Sequence, residues 1–215
     1  VGGYDKTPTL ITESLAELGI HVQFETELNQ INERFLNPNA TLIVFTPAIS
    51  ESNVILQYFR AHDFQVLKRS EVLGLVTENT HCLAVAGTHG KTTTSSILGH
   101  ILFESGADVT AFVGGIVENY NSNLIGTGKT VTVVEADEFD RSFLHLHPNI
   151  ACVTSMDADH LDIYGTSEEI EASFVEFANK VEDKSQLFIT NELPIEGVTC
   201  AVNEEAVYKA FNVRV

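Results

Sequence analysis

The sequence has few basic residues. Twelve Lys and Arg stand against 30 Asp and Glu, which gives a formal net charge of −18. No basic stripe is present to neutralise a phosphate backbone, so nucleic acid is not an expected partner. A nucleotide is not excluded, because binding one requires only a local glycine loop with one lysine.

Long apolar runs and closely spaced cysteines are also missing. No apolar run approaches the roughly 20 residues that cross a membrane, so no membrane partner is expected. Cys82, Cys152 and Cys200 are far apart in strand-like apolar segments, which favours buried thiols over disulfides or metal ligands. Because no signal peptide is visible, a cytoplasmic location is predicted.

Apolar residues are plentiful enough to form a sizeable core. They make up 44% of 215 residues, with 13 Phe, and this length accommodates one large or two modest domains. The chain begins at Val1 rather than Met, at what reads as the end of a strand. We therefore expect it to be part of a longer protein.

The most informative segment is a glycine-bracketed turn between an apolar run and a helical pattern, Ala84-Val-Ala-Gly-Thr-His-Gly-Lys-Thr-Thr-Thr94. Gly87 and Gly90 allow backbone N–H groups to approach phosphate oxygens, Lys91 adds a positive charge, and the Thr92 hydroxyl could reach Mg²⁺. The glycines are separated by two residues instead of the usual four. A plain strand–turn–helix with a capping threonine is the alternative.

Residues 1–78 alternate strand-like and helix-like segments, which predicts a doubly wound, Rossmann-like domain. A helix capped by Thr7 and ended by Gly19 is expected. The strand at 41–45 is almost wholly apolar, as buried parallel strands are. The pattern opens where a second strand would stand, so we expect a truncated domain that lacks its first strand and first turn.

Two loops of this domain follow strands, where ligands of open α/β sheets bind. Asp5 stands where such folds place an acid near a ribose, although a surface turn explains it equally well. Thr46, Pro47 and Ala48 follow the 41–45 strand and form either a substrate contact or a simple proline turn.

Residues 79–215 form a second series, predicted as a mostly parallel, three-layer α/β domain of the phosphate-loop type. A glycine- and asparagine-rich loop is predicted at 114–128. Four carboxylates follow the next strand, at the sheet edge that also carries the phosphate loop. Glu135 comes first and is best placed to hold Mg²⁺, whereas helix capping explains Asp137 to Asp140 about as well.

One histidine is singled out by its position. His160 follows a core strand and is flanked by acids, a position typical of functional residues in such sheets, although a lone histidine is more often structural. His145 and His147 alternate with apolar residues and are interpreted as ordinary loop residues rather than a metal-binding pair.

Three segments together resemble the Mur ligases. They are Gly87-Thr-His-Gly-Lys-Thr-Thr93, Glu135-Ala-Asp-Glu-Phe-Asp-Arg-Ser-Phe143 and Asp157-Ala-Asp-His-Leu-Asp-Ile-Tyr-Gly165. Within the family, the likeness is greatest to the members that add L-alanine to UDP-N-acetylmuramate. The resemblance runs from the second strand of the family's UDP-sugar-binding first domain into its central ATPase domain.

The resemblance implies an enzyme of peptidoglycan precursor synthesis that uses ATP and Mg²⁺. ATP would phosphorylate the carboxylate of UDP-N-acetylmuramate, and the amine of L-alanine would attack the acyl phosphate. The family's first glycine turn and its C-terminal domain are absent from this chain. We therefore expect the 215 residues alone not to turn over.

The resemblance also implies residue roles. Lys91, Glu135 and His160 would be catalytic, with Lys91 on the β- and γ-phosphates, Thr92 and Glu135 on one metal ion and His160 on a second. The nucleotide loop would comprise Gly87, Thr88, His89, Gly90, Lys91, Thr92 and Thr93. The side chains that could face the UDP-sugar are His89, Asn119, Asn121 and Asn123.

Three other functions remain open. The first is the sister ligase that rejoins a tripeptide to UDP-N-acetylmuramate during cell-wall recycling. The second is a phosphate-loop ATPase or small-molecule kinase, which would use Lys91 and Thr92 but have no need of His160. The third is a non-catalytic nucleotide sensor, which would tolerate the loss of Glu135.

Overall fold

The computed structural model describes residues 1–157 and 166–213. The chain divides into two compact units, Val1–Val72 and Leu73–Val215, and each is described by itself. The division falls inside the helix Arg69–Glu78. The domain boundary predicted after residue 78 stays a prediction, because compactness alone does not test which segment folds independently.

The first unit contains two parallel strand pairs. β1 (Gly2–Tyr4) pairs with β2 (His21–Gln23), and β3 (Leu42–Phe45) pairs with β4 (Gln65–Lys68). Helix α1 (Leu10–Glu17) connects the first pair, and α2 (Val54–Ala61) connects the second. Each pair with its helix is a βαβ unit, as the alternating pattern predicted.

The start of α1 differs from the prediction. Thr9, not Thr7, is the N-cap, and it forms a reciprocal capping box with Thr12. Thr7 instead donates its backbone N–H to Asp5 Oδ1 at 3.0 Å. The capping box satisfies two backbone groups at once, which favours Thr9. The predicted helix end is confirmed, because Gly19 follows α1 with φ +76°.

The predicted burial of the 41–45 strand is wrong. Leu42 and Val44 are 45% and 46% exposed. Among the strands of the described residues, β3 pairs with β4 alone, and a cavity of about 1000 Å³ is lined by residues of β1 and β3. The apolar side chains of β3 therefore lie beside open space instead of a neighbouring strand.

In the described residues, the second unit forms an eight-stranded sheet of order β12-β11-β10-β9-β5-β8-β6-β7. The ladders are parallel except for β6 with β7. The strands are β5 (His81–Ala86), β6 (Val109–Val117), β7 (Ser122–Ile125), β8 (Val131–Glu135), β9 (Ile150–Val153), β10 (Leu187–Thr190), β11 (Val198–Val202) and β12 (Tyr208–Ala210). Helix α3 (Arg69–Glu78) spans the division between the units, and the helices α4 (Lys91–Glu104) and α5 (Ser167–Ala178) lie in the second unit.

Successive strand residues pack on opposite faces of this sheet. Val134 of β8 belongs to the cluster formed with Phe174 and Phe177 of α5. Its neighbour Val133 belongs to the cluster that includes Leu98 of α4. Because side chains alternate along a strand, α4 and α5 cover opposite faces. The predicted mostly parallel, three-layer α/β fold is confirmed.

The predicted loop at 114–128 is a strand hairpin over much of its length. β6 continues to Val117, and β7 returns antiparallel to it. Tyr120 at the tip packs against the cluster of α4 and β6. Tertiary packing thus overrides the low strand propensity of the glycines and asparagines in this segment.

Among the described residues, no helix has the length and apolar character needed to cross a membrane.

Candidate functional site

The turn between β5 and α4 requires its glycines. Gly87 and Gly90 have φ angles of +134° and +84°, and Gly90 is the N-cap of α4. A Cβ atom on Gly87 would lie 2.1 Å from Thr154 Oγ1. Both the backbone conformation and the close packing therefore exclude a larger residue at this position.

Residues after β9 hold this loop through hydrogen bonds that the sequence did not reveal. The Thr154 hydroxyl, which has one proton to donate, lies within hydrogen-bond distance of the carbonyl oxygens of Ala86 at 3.1 Å and His89 at 2.5 Å. The His89 N–H donates to Ser155 Oγ at 2.8 Å, and Thr88 Oγ1 donates to the Asp157 carbonyl at 3.0 Å. The only sequence sign of this role is that these residues follow a core strand.

Lys91 points back into the loop that precedes it. Its Nζ donates to the carbonyls of Gly87 at 2.6 Å and Thr88 at 3.3 Å. The same atom lies 3.0 Å from Oε1 and 2.8 Å from Oε2 of Glu138. The two side chains are only 13% and 4% exposed, so this ion pair is largely shielded from solvent. Sequence reasoning had grouped Glu138 with the capping acids.

The predicted metal ligands Thr92 and Glu135 lie in direct contact. Thr92 Oγ1 donates to Glu135 Oε1 at 2.8 Å, and the N–H of Gly114 donates to Oε2 at 2.6 Å. Parallel pairing of β8 with β5 and β6 brings the three together at one sheet edge. A hydroxyl and a carboxylate are oxygen ligands of the type that Mg²⁺ prefers, so these residues fit the ion.

The two histidines with predicted roles are His89 and His160, and the structure describes His89. His89 is exposed, and its Nε2 lies 3.7 Å from Asp157 Oδ2. His160, predicted to hold a second metal ion, lies outside the described residues. Within residues 1–157 and 166–213, no three His, Cys, Asp or Glu side chains form a metal-binding group. The metal roles of Thr92, Glu135 and His160 stay predictions.

The asparagines lie around the tip of the β6–β7 hairpin. Asn119 is in a 3₁₀ turn, Asn121 follows it with φ +48°, and Asn123 is in β7. All three are exposed. Because β6 runs parallel to β8 and continues past Gly114, the tip extends beyond the sheet edge that carries the phosphate loop. Their contact with a sugar stays a prediction.

In the first unit, two predicted loops meet at one cavity. Asp5, Thr46 and Ala48 line the cavity that β1 and β3 flank, whereas Pro47 is not among its lining residues. Asp5 follows β1, and Thr46 follows β3. β1 and β3 belong to different strand pairs, so these two loops share the cavity and not the edge of one hydrogen-bonded sheet.

The sequence matches the Mur ligase middle domain over residues 85–210. A UDP-N-acetylmuramate–L-alanine ligase of Flavobacterium johnsoniae is 70% identical over 215 residues, which is 100% of the chain and 48% of that relative. The enzyme of the same name from Flavobacterium psychrophilum is 63% identical with the same coverage. The chain therefore spans about half the length of the curated relatives it matches.

Solved structures share the fold. A UDP-N-acetylmuramate–alanine ligase from Thermotoga maritima matches with a TM-score of 0.80 at 24% identity, covering 95% of this chain and 47% of that one. A UDP-N-acetylmuramate:L-alanyl-γ-D-glutamyl-meso-diaminopimelate ligase from Neisseria meningitides matches with a TM-score of 0.79 at 21% identity, covering 95% and 70%. At these identities the likeness shows the fold alone.

Proposed function

Because the chain belongs to the Mur ligase family, we propose that it is part of an ATP-dependent ligase that joins L-alanine to the carboxylate of UDP-N-acetylmuramate. The choice of substrates rests on the names of the relatives that are 70% and 63% identical over the whole chain. The proposed chemistry rests on one observation, the contact of Thr92 with Glu135 directly beside the glycine loop.

In the proposed reaction, a carboxylate oxygen of UDP-N-acetylmuramate attacks the γ-phosphorus of ATP, and ADP leaves. The amine of L-alanine then attacks the acyl carbon, loses a proton, and expels inorganic phosphate as the amide forms. Phosphoryl transfer of this kind depends on positioning and on neutralising negative charge. Lys91 would supply a positive charge at the phosphates.

Thr92 and Glu135 would hold Mg²⁺, with Gly114 N–H orienting the carboxylate. A magnesium ion bound there would neutralise charge on the phosphate oxygens. The N-terminus of α4 would add its backbone N–H groups and positive dipole end to the same anion site.

Further proposals concern the UDP-sugar site, the location of the protein and the activity of the 215 residues alone. The loop residues Asp5, Thr46 and Ala48, which line the cavity, would contact the UDP-sugar, in a domain that reaches to residue 78. A cytoplasmic location fits the three free cysteines, because thiols persist in a reducing compartment. Since the relatives are about twice as long, the 215 residues alone would not turn over.

The test is ATP-dependent phosphate release by the protein extended to the length of its relatives. UDP-N-acetylmuramate is supplied with L-alanine, with other amino acids, or with the recycling tripeptide. We expect release only with L-alanine, and Lys91→Ala should abolish it. Release that requires the tripeptide would identify the recycling ligase instead. Release indifferent to any amine would leave an ATPase and contradict the proposal.

A further inference from the structure

The carboxylate of Glu138 is paired with Lys91, the lysine of the phosphate loop. A lysine ammonium has three N–H donors and no acceptor. In this structure, Lys91 Nζ directs them at the carbonyls of Gly87 and Thr88 and at the carboxylate of Glu138. A phosphate oxygen can gain a hydrogen bond from Lys91 only if one of these partners gives way.

Of the three partners, the carboxylate most resembles a phosphate. It is anionic, and both of its oxygens lie within 3.0 Å of Nζ. It is also 4% exposed, so little water screens its charge. A phosphate group bound at Lys91 would therefore meet a second negative charge at close range, and like charges in a shielded site repel strongly.

The backbone after Glu138 is strained, whereas the residues on either side of the segment are firmly anchored. Asp140 and Arg141 have φ angles of +52° and +54°, which non-glycine residues adopt only at a cost in free energy. Before the segment, Ala136 is fully buried and donates its N–H to the Val85 carbonyl. After it, Phe143 is buried and stacks on Phe177 with ring centroids 5.0 Å apart. A shift of Glu138 can thus be confined to residues 137–142.

We propose that Glu138 is a built-in competitor of the nucleotide: it pairs with Lys91 and is displaced from it when nucleotide phosphates bind. This inference rests on the proposed nucleotide-binding function and deepens it. Between catalytic cycles, the carboxylate of Glu138 neutralises the positive charge of Lys91, which is largely shielded from solvent. The displacement weakens nucleotide affinity and couples nucleotide binding to a rearrangement of residues 137–142.

The direct test is ADP affinity in the presence of MgCl₂, measured by isothermal titration calorimetry. Glu138→Gln removes the competing charge and nearly preserves the shape, so we expect ADP to bind roughly fivefold more tightly than to the wild type. Glu171→Gln is the matched control. Glu171 is exposed on α5, and its substitution changes the net charge of −18 by the same amount, so it should leave ADP affinity unchanged.

The outcomes distinguish the competitor role of Glu138 from nucleotide binding itself. If the wild type binds ADP and Glu138→Gln binds it equally or more weakly, the competitor role is wrong while nucleotide binding stands. If neither protein binds ADP, both are wrong. A fivefold gain in both variants would show a general charge effect and would also overturn the competitor role.

A second measurement on the wild type does not depend on the variant folding. Hydrogen–deuterium exchange should become faster in a peptide covering residues 137–142 when ADP binds, because the Arg141 N–H bond to the Glu138 carbonyl is disturbed. Exchange in residues 86–93 should become slower. Unchanged or slower exchange in 137–142 would contradict displacement.

Discussion

At the residue scale, single glycines decide the geometry of the site. Gly114 lies against the carboxylate of Glu135, and a Cβ atom there would be 2.6 Å from Oε1. Its neighbour Gly115 has space, since a Cβ atom would be 3.4 Å from Thr92 Cγ2. The two positions therefore provide a test in which the same substitution is made one residue apart.

We expect Gly114→Ala to weaken Mg²⁺-dependent ADP binding by about 10- to 100-fold, the usual effect of disturbing the residues that orient a metal ligand. Gly115→Ala should leave it nearly unchanged. Calorimetric titration of ADP at several MgCl₂ concentrations would measure both. Equal losses in the two variants would mean that Glu135 is not held by the close approach of Gly114.

The sequence identified some site residues and missed others for a definable reason. Lys91 and Thr92 follow the glycine turn after one apolar segment, and Glu135 ends another, so a sheet-edge argument finds them. Thr154 acts through contacts about 65 residues away in sequence. Such partners become visible only when strand order is known, because β9 lies beside β5 although β6, β7 and β8 intervene in sequence.

At the element scale, α4 packs unusually close to the sheet through Gly99. A Cβ atom on Gly99 would be 2.7 Å from Ala111 Cβ and 3.3 Å from Ile125 Cδ1. Both partners are fully buried, so neither can move aside easily. The glycine costs helix propensity, about 1 kcal/mol relative to alanine, and in return allows the helix to approach β6.

We expect Gly99→Ala to lower the free energy of unfolding by about 1–3 kcal/mol, since overpacking outweighs the gain in helix propensity. Chemical denaturation followed by circular dichroism measures this change. Combining it with Ala111→Gly removes the opposing methyl group, so the double variant should lose less than the sum of the two single losses. Strict additivity would show that the contact with Ala111 is not the cause.

At the scale of the whole molecule, two thiols shielded from solvent should make the free energy of unfolding depend on pH in the alkaline range. Burial raises the pKa of Cys82 from 9.0 to about 12 and that of Cys152 to about 11. At a pH between 9.0 and these raised pKa values, the unfolded chain ionises its thiols while the folded protein keeps them protonated. The folded state then binds more protons, so its stability falls as pH rises through this range.

We expect the urea midpoint of unfolding to decline between pH 9 and 11. A variant with Cys82→Ala and Cys152→Ala should show a smaller decline, although it starts from a lower stability at pH 7 because one buried and one partly buried side chain are truncated. Tyrosine and lysine ionisation is common to both proteins and cancels in the comparison. Parallel declines in the two proteins would exclude the thiols as a cause.

The sequence by itself determined the fold class, the glycine turn and Glu135, the carboxylate at the end of β8. These features are local, because hydrophobic period, glycine placement and strand-end position are all encoded within short segments. Strand order, the hairpin at the predicted loop, the exposure of β3 and the pairing of Lys91 with Glu138 were decided by the tertiary structure. Each depends on which distant segments become neighbours, and this is decided by the packing of a whole unit and not by any short segment of sequence.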